Sequence, residues 1–231
     1  MTSLERLNDA IVRCRRCPRL VRWRESVARK PPLRYQGQTY WARPLPGFGD
    51  PEARVFIVGL APAAHGGNRT GRIFTGDRSG DWLYTTLYKF GFSSLPGSLH
   101  RDDGLKLADC YISAAARCAP PDNKPLPAEF DRCRPYLVSE LRLLKRLRVV
   151  VALGKIAFDE FLKAHAENGG AVPKPRPRFG HGSRAQLDGV TLLGSYHPSQ
   201  QNTFTGKLTR PMFETVFREA RELVDREPAR T

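Results

Sequence analysis

Four of the five cysteines in this 231-residue chain are spaced so that their sulfurs can be gathered at one place. Cys14 and Cys17 form a CxxC pair, and Cys118 and Cys133 are separated by fourteen residues, each beside loop-forming proline or basic side chains. Four thiolates suit a zinc ion or a [4Fe–4S] cluster. A zinc ribbon shows a second close CxxC, which is missing here, and the spacing by itself leaves the two metals open. Unligated buried thiols are the plain alternative, and for Cys110, inside an apolar run, that alternative is preferred. A metal at this set would tie the N-terminal segment 1–30 to the region around Cys118, adding stability rather than reactivity.

Three further segments carry groups able to act on a ligand. In Gly59-Leu60-Ala61-Pro62-Ala63-Ala64-His65-Gly66, small residues let backbone N–H groups approach a bound molecule closely. It lacks both the GK[ST] ending of a P-loop and the GxGxxG of a dinucleotide site. Phe74-Thr75-Gly76-Asp77-Arg78-Ser79 places an aromatic ring and a carboxylate before a helix, where Asp77 or Ser79 also serves as an ordinary N-cap. His197-Pro198-Ser199 leads into the polar run Gln200-Gln201-Asn202-Thr203, and Asn123 sits in a PPDNKP turn.

The elements around these segments alternate. Apolar runs at 54–60, 108–116, 147–153 and 190–195 read as strands, with helices expected over 79–90, 128–145, 154–166 and 208–224. An amphipathic helix precedes Cys14, a second spans about residues 19–28, and the Pro-, Gly- and aromatic-rich stretch 30–51 reads as an ordered loop packed on the domain. Strand–helix alternation predicts a single α/β domain with a mainly parallel sheet between helices. In that class the working site lies beyond the carboxyl ends of the strands, so the loops after Leu60, Ala116 and Ser195 are expected to converge. The Pro-, Gly- and Arg-rich stretch 169–184 has no regular element assigned.

Lysine and arginine total 38 against 23 acidic residues, a net charge of +15 that favours a polyanionic partner such as nucleic acid. No stretch has the length and apolarity of a membrane span, and the N-terminus lacks the apolar core of a secretory signal. With an odd number of cysteines, this points to a cytoplasmic protein with reduced thiols.

GLAPAAHG, FTGDRSGDWL, CAPPDNKPLP and HPSQQNTFTGKLT, in that order and with the spacing of Cys14, Cys17, Cys118 and Cys133, resemble the motif set of the uracil-DNA glycosylase superfamily. The match is to its iron–sulfur-containing family 5 (type B) and spans most of the chain. The resemblance implies a four-stranded parallel sheet between helices, a [4Fe–4S] cluster on the four cysteines, and activity on DNA containing uracil or deaminated bases, as a monomer. Leu60 stands where the related family 4 enzymes carry a carboxylate, and Ala114 where they carry an Asn that reads the uracil edge. Both departures imply a pocket that also accepts hypoxanthine and other damaged bases.

The resemblance assigns Asp77, His197 and Asn123 to catalysis. His197 and the backbone of Gly59, Leu60, Ala61 and Ala63 would stabilise the departing base, and Asp77 would orient water, with Asn123 sharing that role or touching the base. Phe74 would stack on the extruded base in a pocket that also includes Ala114 and Ser199, and Gln201 and Asn202 would enter the gap or line the minor groove. His65 supports its loop. A non-catalytic nucleic-acid-binding protein with a structural metal is the main rival; it shares the charge and the cysteines but leaves the three loop motifs unexplained.

Overall fold

Four apolar strands form the centre of the fold because their residues are buried on both faces, the pattern parallel sheets require. The computed structural model describes residues 2–226; Met1 and residues 227–231 lie outside the described residues. The strands are Phe48–Gly49 (β1), Val55–Gly59 (β2), Cys110–Ala114 (β3), Val149–Leu153 (β4), Arg184–Leu187 (β5) and Val190–Ser195 (β6). The helices are Ser3–Val12 (α1), Pro18–Arg29 (α2), Gly67–Thr70 (α3), Arg78–Lys89 (α4), Pro127–Leu143 (α5), Lys155–Glu167 (α6), Gln200–Phe204 (α7) and Arg210–Asp225 (α8).

The sheet order is β1-β3-β2-β4-β6-β5. The inner four strands are parallel, in a register that pairs Gly59 with Ala114, Val58 with Ala152, and Leu153 with Ser195. The expected four-stranded sheet is thus the centre of a six-stranded mixed one. β1 and β5 are antiparallel edges, pairing Phe48 with Ile112 and Leu187 with Val190. Both escape a search for apolar runs for physical reasons: β1 is two residues long, and β5 (RAQL) is mostly solvent-facing. The Asp188-Gly189 turn joining β5 to β6, with Gly189 at φ +68°, was the available hairpin signal.

Alternate residues of the strands face opposite layers. Val55, Ile57, Ile112, Val149, Val151 and Leu193 pack with Leu83 and Leu87 of α4 and Phe213 and Phe217 of α8. Phe56, Val58, Tyr111, Val150 and Leu192 pack on the other face with Leu4 of α1, Leu137 of α5, and Phe158 and Phe161 of α6. Segment 30–51 is ordered against this body, as expected: the N–H groups of Trp41, Ala42 and Leu45 donate to the carbonyls of Arg69, Asn68 and Arg117 at 3.0, 3.0 and 2.7 Å.

Connections leave β2 towards β3 and leave β4 towards β6, on opposite sides of the sheet. The carboxyl ends of β2 and β4 therefore flank a topological switch point, where open α/β sheets bind ligands.

Candidate active site

At that switch point Phe74 and His197, from distant parts of the chain, meet ring to ring, with centroids 5.7 Å apart and planes inclined by 29°. Phe74 is held at φ +52°, in left-handed backbone that non-glycine residues seldom adopt. Its carbonyl presses on Gly80, where a Cβ would lie 1.8 Å from the oxygen. The floor beneath the ring is Gly59: a Cβ there would come within 2.7 and 2.8 Å of Phe74 ring atoms. Ala114 sits beside Gly59 in register, so two minimal side chains line this edge.

Asp77 reaches the same edge from the start of α4. One carboxylate oxygen caps the helix, accepting from the Gly80 N–H at 3.0 Å, and the other faces Gly66, where a Cβ would stand 2.3 Å from it. The capping role anticipated for Asp77 is therefore real, and it leaves the second oxygen against the Gly-rich loop. Burial raises its pKa above the usual carboxylate value, opposed by the N–H groups of Gly80 and Ser79. Burial lowers the His197 imidazole to about 4, so the ring is neutral at physiological pH. Among the described residues its ring nitrogens have no hydrogen-bond partner.

The loop after β2 is fixed by its carbonyls: Gly59 and Leu60 accept from Ala115 and Ala116 at 2.9 Å each, and Ala63 accepts from Gly66 and Asn68. The N–H groups of Ala61 and Ala63 make no backbone hydrogen bond among the described residues. Leu60 and Ala61 pack on Ala115, Ala116 and Phe130. His65 supports this loop as expected, with Nδ1 2.9 Å from the Tyr40 hydroxyl and its ring stacked on Tyr35.

Beyond His197, Ser199 caps α7 through the Asn202 N–H, and the Asn202 amide donates to the His197 carbonyl at 2.9 Å. Asn202 thus braces His197, while Gln201 is exposed. Asn123 is exposed in left-handed backbone at φ +54°, and no described hydrogen bond or ring contact ties it to Phe74, Asp77 or His197. Two residues absent from the sequence-based set pack together here, Arg78 next to Asp77 and Phe204 at the end of the helix that follows His197. Phe204, at the end of α7, is 65% exposed, and the Arg78 guanidinium lies 4.5 Å from its ring centre. An aromatic ending a polar run beside a His-Pro-Ser motif was the signal available for it.

A second centre lies behind β3. Cys14, Cys17, Cys118 and Cys133 line one pocket, together with Arg117, Leu20 and Tyr136. All are free thiols, and burial raises those of Cys17, Cys133 and Cys118, the last to about 12. Among the described residues no group of three or more Cys, His, Asp or Glu side chains is gathered tightly enough to hold a metal ion. Buried N–H donors of Arg24 and Arg117 near these sulfurs lack acceptors. Four sulfur donors beside spare N–H donors are the chemistry that an anionic, thiolate-ligated group calls for. Cys110 stands apart, wholly buried in the core, as its place in an apolar run predicted.

Fold and site together define an α/β protein that gathers Phe74 on His197, and Asp77 against the Gly-rich loop, at the switch point of its central parallel strands. A family model described as the Uracil DNA glycosylase superfamily matches residues 46–221. The chain is 51% identical over 223 residues to a Type-5 uracil-DNA glycosylase of Mycobacterium tuberculosis, covering 96% of this chain and 82% of that protein. It is 51% identical over 216 residues to the Type-5 enzyme of Thermus thermophilus, covering 93% and 95%. A Type-4 uracil-DNA glycosylase of Pyrobaculum aerophilum is more distant, 29% identical over 201 residues, covering 85% and 83%. The chain belongs to the uracil DNA glycosylase superfamily. Among the described residues no helix is long and apolar enough to cross a membrane.

Proposed function

We propose that this chain, acting as a monomer, hydrolyses the N-glycosidic bond of uracil flipped out of DNA, and releases hypoxanthine and other deaminated bases by the same route. The observation that carries this reading is the stacked Phe74–His197 pair over Gly59, with Asp77 entering beside it. The base must leave the helix before its glycosidic bond is accessible. Phe74 then stacks on it, and the shallow floor of Gly59 and Ala114 lets it sit deep.

Bond breaking leaves negative charge on the base and positive charge on the sugar, so opposed electrostatics lower the barrier. Neutral His197 donates a ring N–H to the base oxygen, and the free N–H groups of Ala61 and Ala63 add further donors. Asp77 favours the cationic sugar, orients the water that attacks C1′, and takes its proton. Asn123 lies on a turn that reaches the substrate from the exposed side. Leu60 and Ala114 offer no polar group to demand one base edge, and a pocket without such groups discriminates weakly. Phe204, with Arg78 against its ring, is the wedge that fills the vacated stack, beside Gln201 and Asn202, which enter the gap or line the minor groove.

The four cysteines hold a [4Fe–4S] cluster, which when bound supplies a rigid crosslink joining α1 and α2 to β3 and α5. Base release from uracil- and hypoxanthine-containing duplexes, followed under single turnover, tests the activity. Absence of free uracil with intact, DNA-bound protein would leave the rival reading, a non-catalytic DNA-binding protein, in its place.

A further inference from the structure

Arg24 is a buried cation without an ion-pair partner among the described residues. It projects from α2 and is 2% exposed. Its Nη1 donates to Cys118 Sγ at 2.9 Å and its Nη2 to the Cys14 carbonyl at 3.5 Å, while Nε has no partner. The other buried arginines each meet a carboxylate: Arg72 pairs with Asp103, Arg117 with Glu140, and Arg134 with Glu160. A neutral thiol is a weak acceptor, and an unpaired guanidinium removed from water is strongly unfavourable. The position is nonetheless fixed, since the Asn68 amide donates to the Arg24 carbonyl at 3.2 Å.

We infer that Arg24 is the counter-charge of the group held by Cys14, Cys17, Cys118 and Cys133, a positioning residue that retains it and sets its reduction potential. The inference rests on the proposal that these cysteines hold an iron–sulfur cluster. Four thiolates outweigh the positive charge of the cluster core, leaving a net anion in the pocket; Arg16 and Arg132 reach its Cys17 side from exposed positions, whereas Arg24 is the buried cation among the described residues that meets a cysteine without a carboxylate partner. Arg117 also lines this pocket with unpaired Nε and Nη1, but Glu140 already balances its charge, so it can offer N–H donors without net charge. Reduction of the cluster adds a further negative charge, so a fixed cation stabilises the reduced form more than the oxidised one. N–H···S contacts act in the same direction.

The test uses the full chain purified without oxygen, as wild type, Arg24→Gln and Arg24→Lys. Three quantities are read: iron and acid-labile sulfide per chain, the rate of iron loss to a chelator, and the midpoint potential by film voltammetry. Arg24→Gln is expected to lose iron about tenfold faster and to hold the reduced cluster about tenfold less tightly relative to the oxidised one. For a one-electron couple that is a potential about 59 mV more negative. Arg24→Lys, which keeps the charge but not the planar fork, is expected to recover most of the potential while still releasing iron faster. Wild-type potential and release rate in Arg24→Gln would overturn the inference while leaving the cluster standing. Wild-type protein without iron and sulfide would instead remove the cluster, and the role of Arg24 with it. Should Arg24→Gln not accumulate as folded protein, Arg24→Lys decides, and an unchanged release rate there refutes the assignment.

Discussion

Replacing Gly59 by alanine adds one methyl group to the floor of the pocket, and its effect can be worked from the geometry. Gly59 is a strand residue paired with Ala114, so alanine suits its backbone and the consequence is purely steric. The new Cβ would stand 2.7 Å from the Phe74 ring, where ordinary contact begins at 3.4 Å, so the ring must retreat by about 0.7 Å. Phe74 cannot retreat alone, because His197 is stacked on it. A displacement near 1 Å in a reacting constellation costs about 100-fold in rate, whereas overpacking of this kind costs about 1–3 kcal/mol in stability. At about 2–4 °C per kcal/mol for a protein of this size, Gly59→Ala should stay folded with Tm lowered by several degrees. Single-turnover base release from a uracil-containing duplex, beside thermal melting and DNA affinity, separates the two effects. A rate within threefold of wild type would refute the idea that the Gly59 floor sets the position of Phe74. A double variant, Gly59→Ala with Phe74→Leu, should regain the lost stability but not the rate.

Removing the His197 donor with His197→Ala should slow base release by about 10²–10³, the usual effect of deleting one preorganised donor, with DNA affinity unchanged; equal loss in both would reassign it to binding. Because burial holds His197 near 4, the pH–rate profile should show no inflection near 6.5. Its acid limb should follow Asp77, whose raised pKa makes the carboxylate protonate, and the rate fall, at higher pH than for an ordinary aspartate. That limb should survive in His197→Ala. The same imidazole makes stability fall between pH 6.5 and 4, since only the unfolded chain takes up its proton there; melting of His197→Ala should be flatter across this window. Phe204→Ala should reduce activity on duplex far more than on single strands, by about 5- to 150-fold if the lost stacking is worth about 1–3 kcal/mol, and equal effects on both would remove the wedge role. Affinity for duplex should fall steeply with salt, with a log–log slope of about −0.9 for each phosphate neutralised.

The central strands and their order of helices were legible because burial on both faces leaves an unbroken apolar run, as in VFIVG and VVVAL. The meeting of Phe74 with His197 was legible only as a shared sheet edge; their stacking depends on the left-handed backbone at Phe74, which no composition rule announces. Asp77 was readable as a cap and as a site residue; the cap is formed, and its second oxygen lies against Gly66. The cysteine set was visible in the spacing, but the solitary charge of Arg24 emerges only when α2 folds over Cys118. Asn202 looked free to enter DNA until the short helix α7 turned its amide onto the His197 carbonyl.

The walls of the pocket are built largely from missing atoms. At Gly59, Gly66 and Gly80 any added carbon would strike the Phe74 ring, the Asp77 carboxylate or the Phe74 carbonyl, and at Gly154, with φ +99°, a side chain would be strained and brought to 3.6 Å from His197. Drift at these four positions can therefore run in one direction only, towards a smaller chamber. A roomier one requires trimming a larger neighbour such as Phe74, so the lower bound on its size is written into the main chain.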